Sequence, residues 1–274
     1  MLYLVSTPIG NLADISERAL KVLSEVDFIA AEDTRNTLRM LTHFGISRPL
    51  ISYFEHNKAE RGEQIAERLL GGESCALVTD AGTPAISDPG EDLVRLCAEK
   101  GVTVTAIPGA CAGICALTLS ALPTARFCFE GFLPVKKADR RKRLDALAKE
   151  ERTMLLHEAP HKLRESLADL ESALGGDRKI SICRELTKLN EEVMRLTLSA
   201  AVAYYKEHEP RGEYVLVIEG TEYAGDGTDV SNLSAEEQVA LYIKEGMSKM
   251  DAIKKTAKER GVSKNEIYKL FNND

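Results

Sequence analysis

A chain of 274 residues with 44% apolar residues has the length and composition for two domains with proper cores. Its net charge of −7 argues against nucleic acid wrapped over the whole surface. The start carries no basic segment followed by a signal-like apolar stretch, and no apolar run approaches bilayer length. A soluble, cytoplasmic protein without membrane contact is therefore expected.

The first half alternates apolar runs with amphipathic stretches. Strands are predicted at 2–5, 27–30, about 48–53, 75–80 and 102–107, and helices at 15–25, 34–43, 60–70, 89–100 and 110–121. Gly71 and Gly101 stand where helix stop signals belong. Pro89 is expected in the first turn of the helix that follows the fourth strand. Alternating β and α implies a parallel sheet covered on both faces, here assigned to a domain at 1–121. A second α/β domain, with a partly antiparallel sheet, is expected at 122–220. Its strands lie at 126–131, 153–157, 179–184, 191–197 and 213–219, and its helices at 140–150, 161–174 and 199–208. Residues 221–233, rich in Gly, Asp and Thr, read as a linker. The tail, 234–274, is helical: Ser234 and Glu237 form a capping box, and Ser248 and Ser263 cap two more helices separated at Gly261. That last pair has a helix-turn-helix pattern, which serves equally as a nucleic-acid reader and as a packing or dimerisation element.

Three strand ends carry the chemistry. Leu2–Val5 runs into Ser6-Thr-Pro-Ile-Gly-Asn11, Cys75–Val78 into Thr79-Asp-Ala-Gly-Thr-Pro-Ala-Ile-Ser-Asp-Pro-Gly90, and 102–107 into Pro108-Gly-Ala110. In an open α/β sheet such loops gather at the carboxyl ends of the strands, where ligands bind. Neither G-x-x-x-x-G-K-[ST] nor G-x-G-x-x-G is present, so a nucleotide kinase or dinucleotide enzyme is disfavoured. The six cysteines, at 75, 97, 111, 115, 128 and 183, make no Cys-x-x-Cys and read as small buried hydrophobes. With no His/Cys/carboxylate cluster at ligand spacing, no metal is expected. The run Lys136-Lys-Ala-Asp-Arg-Arg-Lys-Arg143 sets six cations against one anion. It is either a solvated helix start or a contact for RNA phosphates made by Lys136, Lys137, Arg140, Arg141 and Arg143.

Six motifs occur in order: Thr7-Pro-Ile-Gly-Asn-Leu12, Ala31-Glu-Asp-Thr-Arg35, Ser52-Tyr-Phe-Glu-His-Asn57, the Asp80–Gly90 loop, Phe129-Glu-Gly-Phe-Leu-Pro134 and His157-Glu-Ala-Pro-His-Lys162. Over roughly residues 1–220 the chain resembles the ribosomal RNA small subunit methyltransferase I branch of the tetrapyrrole methylase superfamily. The resemblance implies two α/β domains with S-adenosylmethionine bound between them. It also implies 2′-O-methylation of a cytidine in the decoding centre of 16S ribosomal RNA within the small ribosomal subunit, and a homodimer. Carried over by position, the cofactor contacts are Ile9, Gly10, Ala81, Gly82, Thr83, Ile86, Cys111 and Ala112, with Leu186 and Glu158 or a neighbour from the second domain. The Thr7-Pro8 loop has less glycine than the wider superfamily, in agreement with the ribosomal branch.

Removing a proton from a ribose hydroxyl calls for a base or a stabilising cation. Asp33, Arg35, Glu55, His56, Glu130, His157, Glu158, His161 and Arg184 are candidates, and the residues alone single out no base. Arg35 and the His157–Glu158 pair are the preferred catalytic residues, with Asp33 or Thr34 alternatively a helix cap. Two other classes remain open at this level. One is a tetrapyrrole methyltransferase of the same fold, which would leave the basic run and the tail unused. The other is a non-enzymatic nucleic-acid binder, which would leave the three loops unused.

Overall fold

Short apolar runs, buried on both faces, build the first sheet. The computed structural model describes residues 1–221, 233–244 and 246–270, which fall into two units, Met1–Thr221 and Glu222–Asp274. The sheet contains β1 (Leu2–Val5), β2 (Phe28–Ala31), β3 (Leu50–Ser52), β4 (Cys75–Val78) and β5 (Val104–Ile107) in the order β3-β2-β4-β1-β5, all parallel. Helices α1 (Glu17–Glu25), α2 (Thr34–His43), α3 (Lys58–Leu70), α4 (Glu91–Glu99) and α5 (Ala112–Leu119) alternate with them. Leu2, Phe28 and Leu77 pack on one face with Ile65 and Leu93, while Val5, Ile29 and Val78 meet Leu23 and Leu41 on the other. Burying each such side chain contributes about 1.5–3 kcal/mol. Gly71 closes α3 as a cap, and Gly101, at φ +73°, turns the chain out of α4.

The second sheet is mixed. It contains β6 (Phe127–Gly131), β7 (Thr153–Glu158), β8 (Lys179–Arg184), β9 (Glu192–Thr197) and β10 (Tyr214–Ile218) in the order β6-β7-β10-β8-β9. Only β6 and β7 pair in parallel; the other pairs are antiparallel. Helices α6 (Lys137–Leu147), α7 (Leu163–Leu174) and α8 (Leu198–Glu207) cover one face, where Leu144, Leu167 and Ala201 pack on Met154, Leu156 and Leu216. The opposite face, with Leu155, Cys183 and Val217, packs on α5 through Ala116 and Leu117. This contact layer holds the two sheets of the first unit together.

In the second unit α9 (Ala235–Lys244), α10 (Lys249–Arg260) and α11 (Lys264–Leu270) enclose Val239, Tyr242, Ile253 and Ile267. The Ser234–Glu237 capping box forms reciprocally, Ser248 caps α10, and the Ser263–Glu266 pair repeats the box before α11. Gly261, at φ +65°, ends α10. All but the ends of the expected linker at 221–233 lies outside the described residues.

Helix starts depart from the sequence reading by up to three residues, α6 beginning at Lys137 rather than 140. α4 begins at Glu91, and Pro89 precedes it; Gly90, at φ +147°, is the capping position, a conformation that L side chains rarely adopt.

Candidate active site

The three glycine-bearing loops are tied to one another by hydrogen bonds. Thr7 N–H donates to Gly82 O at 2.8 Å and Gly82 N–H returns to Thr7 O at 3.1 Å, a two-residue bridge between the ends of β1 and β4. The Thr83 hydroxyl donates to Ala110 O at 3.1 Å and lies 3.0 Å from the Ser6 hydroxyl. Thr7 Oγ1 donates to Thr79 O at 3.2 Å. Short hydroxyl side chains thus take the place of the backbone pairing that ends with the strands.

These loops form one wall of a cavity of about 570 Å³ that reaches the second sheet. Ile9, Ala81, Gly82, Thr83 and Ile86 line it, with Cys111 and Ala112 at the start of α5. Leu186, His157 and Glu158 line the opposite wall. Gly10 is not in the lining. It lies where a side chain would collide with Lys188 and Thr187, so its role is to let the first loop close against the loop after β8. Backbone strain concentrates on the same walls. Gly82, Ala85, Ser87 and Gly90 in one loop, and Glu185 and Thr187 in the other, all have positive φ. Non-glycine residues held this way cost of order 1–3 kcal/mol each, and they cluster at ligand sites.

The opposite wall is aromatic. Phe127, Phe129 and Phe132 join the cavity, and the His157 ring lies edge-on to Phe129 at 5.2 Å and to Phe132 at 5.6 Å. Burial lowers the His157 pKa below its usual value, so the ring is neutral at physiological pH, and its Nε2 has no hydrogen-bond partner. Asp88 brings a carboxyl group to the cavity. Burial first, then the nearby Glu32 and Asp80 charges, push its pKa up to about 6.

Sequence reasoning gives no role to Asp88, Phe127, Phe129 or Phe132. Asp88 lies in the most informative loop. The alternation of Phe127 and Phe129 along a half-buried strand is the available signal for the aromatic wall.

Two of the residues named from the sequence stand apart from the cavity. Arg35 stays outside the cavity: its side chain is 84% exposed and paired with Asp33 at 2.7 Å, which holds the Asp33 carboxyl down at about 2. Asp33 caps α2 through Arg35 N–H at 2.8 Å, so the capping reading holds there. Arg140, expected on RNA phosphates, is 9% exposed and bonded to Asp169 and Ser166 in the interior. Lys136, Lys137 and Arg141 are exposed at and along α6, whereas Arg143 pairs with Glu130. Of the remaining acid–base candidates, Arg184 pairs with Glu192 at 3.1 Å. Among the described residues no group of side chains could hold a metal ion, and no helix is long and apolar enough to cross a membrane.

A parallel sheet whose strand-end loops face a mixed sheet across an apolar cavity defines a class of protein. Residues 1–202 match the model of the Tetrapyrrole (Corrin/Porphyrin) Methylases, and the chain belongs to that family. Solved structures share the architecture: a diphthine synthase at TM-score 0.62 and 18% identity, covering 80% of this chain and 89% of that one. A uroporphyrin-III-C-methyltransferase from Thermus thermophilus follows at 0.57 and 16%, covering 80% and 93%. At such identities the likeness shows the fold alone. Nearer relatives narrow the family to its ribosomal RNA small subunit methyltransferase I branch. The protein of that name from Synechocystis sp. is 45% identical over 270 residues, 98% of this chain and 96% of that one. The one from Bacillus subtilis is 44% identical over 274 residues, 99% and 94%.

Proposed function

We propose that this methyltransferase moves a methyl group from S-adenosylmethionine to the 2′-hydroxyl of a cytidine in the decoding centre of 16S ribosomal RNA. The substrate is the assembled small ribosomal subunit, and the enzyme acts as a homodimer. One observation carries the reading: a cavity of cofactor size lies between three hydrogen-bonded loops and an aromatic wall, and the exposed cations of α6 follow that wall in the chain.

The residues fit the cofactor. Gly82 lines the cavity where a Cβ would already press on Ile9 at 3.3 Å, and Asp88 offers a carboxylate to a cationic ligand. When bound, S-adenosylmethionine supplies an electrophilic methyl carbon, and the protein has to align the acceptor with it. Ile9, Ala81, Gly82, Thr83, Ile86, Cys111, Ala112 and Leu186 form the enclosing surface and exclude water. Neutral His157, whose buried Nε2 lacks a partner, is the base that this wall offers for the hydroxyl proton of the ribose. Phe129 and Phe132 offer faces on which an unstacked base can lie, the usual way in which single-stranded RNA is read. Lys136, Lys137 and Arg141 meet phosphates, through charge that is indifferent to sequence. Glu158 lines the cavity at the end of β7, with its carboxylate turned to Ser166 behind the wall.

The test uses labelled cofactor with 30S subunits, naked 16S RNA and a tetrapyrrole, followed by alkaline hydrolysis of the RNA. A 2′-O-methyl group blocks cleavage at its own phosphodiester, and a base methyl does not. Label on the 30S subunit at one alkali-resistant bond is expected. Label on a base, or on the tetrapyrrole alone, overturns the proposal.

A further inference from the structure

The basic helix is anchored from beneath. We propose that Arg140 and Arg143 are positioning residues that fix the aromatic wall, so that the helix meeting RNA through its exposed cations also sets where His157, Phe129 and Phe132 stand. The inference rests on the reading of that wall as the acceptor side.

The strands explain why these arginines point inward. Along β7, Leu155 and His157 face the cavity, so Met154 and Leu156 face the helices, and the carboxylate of Glu158, which borders the cavity at the strand end, turns to the helix side as well. Glu158 is 5% exposed at the strand end, where its Oε1 accepts from Ala159 N–H at 2.8 Å and its Oε2 accepts from the Ser166 hydroxyl. Ser166, fully buried on α7, accepts in turn from Arg140 Nη2 at 2.9 Å. Arg140 Nε donates to Asp169 at 2.6 Å, and Nη1 donates to Pro134 O at 3.4 Å. The guanidinium therefore ties α6 to α7 and, through Ser166 and Glu158, to the end of the strand that carries His157.

A second tie acts on β6. Its pairing with β7 shifts between Phe129 and Gly131, a bulge that leaves Glu130 as the extra residue. Phe127 and Phe129 line the cavity, while the Glu130 side chain is 7% exposed and ion-paired with Arg143. Gly131, at φ +61°, then swings the chain toward Phe132. Removing either arginine leaves a buried carboxylate or hydroxyl short of a partner, which is costly enough to shift the wall rather than leave it in place.

The competing reading is that both arginines bind phosphate. R140Q, R143Q and S166A are compared with R141Q for methylation rate on saturating 30S subunits, salt dependence of subunit binding, cofactor affinity and melting. Positioning predicts that R140Q and R143Q lose about tenfold to a hundredfold in saturating rate, since small misplacements carry that penalty. Their salt slopes and cofactor affinities stay at the wild-type values, whereas R141Q flattens the slope. R143Q, at a half-exposed site, keeps the test alive if R140Q fails to fold. The imidazole ¹⁵N signals of His157, assigned with H157Q, are expected to move in R140Q, R143Q and S166A. Unmoved signals, or wild-type rates with flattened slopes, overturn the proposal. The parent reading fails separately, if wild-type protein leaves no 2′-O-methyl group on the subunit; the imidazole signals test the positioning even then.

Discussion

Gly82→Val strikes the cavity where the loops after β1 and β4 meet. Gly82 has φ +87°, and a Cβ there would lie 3.3 Å from Ile9 Cγ2 and 3.7 Å from Ala110 O. The first carbon thus presses on Ile9, which must give by a few tenths of an ångström, and a larger side chain at this lining position takes space from the cavity. The conformational cost of a left-handed L-residue is about 1–2 kcal/mol. For a chain of this size that lowers Tm by about 2–8 °C. The fold survives, because the Thr7–Gly82 bridge uses backbone atoms that the substitution leaves in place. Binding is expected to suffer more, by at least about a hundredfold, or 2.7 kcal/mol.

Calorimetry with S-adenosylmethionine separates the two effects, with Gly82→Ala as the intermediate step. Alanine carries most of the backbone penalty and little of the occlusion, so its Tm falls nearly as far while part of the affinity remains. Cofactor at a hundredfold over Kd stabilises the wild type by about 2.7 kcal/mol. That stabilisation is absent from Gly82→Val at the same concentration. A valine variant that binds within threefold of wild type would refute the placement of the cofactor against this loop.

Asp88 gives a pH signature. Its folded pKa of about 6 exceeds the ordinary aspartate value of 3.8, so the folded state keeps a proton that the unfolded chain has released. The associated stability is present below the lower value and lost as pH rises through about 6. Asp88→Asn should flatten denaturant-derived stability between pH 4 and 6 relative to wild type. If a cationic cofactor lies beside this carboxylate, its affinity falls as pH drops through 6, and titrations at several pH values on both proteins check that. Replacing Lys136, Lys137 and Arg141 by Ala is expected to reduce the salt slope of 30S binding by about 0.7–0.9 for each phosphate no longer neutralised, read from affinities at four salt concentrations. Ser87, exposed at φ +63°, is held in a conformation that glycine adopts freely. Ser87→Gly should raise Tm by about 1–3 °C in a thermal scan, once the entropy of the unfolded glycine is set against the relieved strain.

How much is legible in the sequence follows from how local each feature is. The strand ends at Val5, Val78 and Ile107 are readable because an apolar run stopping at glycine and proline has few other meanings. The caps at Ser234, Ser248 and Ser263 are decided within four residues and are equally accessible. Arg35 misleads for the same reason of locality: a carboxylate two residues earlier captures its guanidinium before any distant ligand can. Arg140 and Arg141 are neighbours in an unbroken charge run, yet one is buried and the other exposed. Only helix phase against α7 separates them, and a run of cations carries almost no apolar periodicity from which to read that phase. The approach of Gly10 to the loop after β8 joins residues about 180 apart in sequence, and it depends on the packing of two sheets.

The two walls of the cavity are therefore specified by different physics. The loop wall follows from strand ends of one parallel sheet, where every connection must turn at the same edge, so glycine, proline and short hydroxyls recur there. The aromatic wall follows from a single irregularity. Without the bulge at Glu130, the alternation of β6 would continue, and the residues after Phe129 would exchange faces. Glu130 stays in that position only if something compensates its buried charge, and Arg143 is the cation that α6 supplies. The basic helix and the bulge thus require one another. A substitution that repairs the strand, such as removing Glu130, should cost the acceptor wall its placement while leaving the loop wall and its ligand untouched.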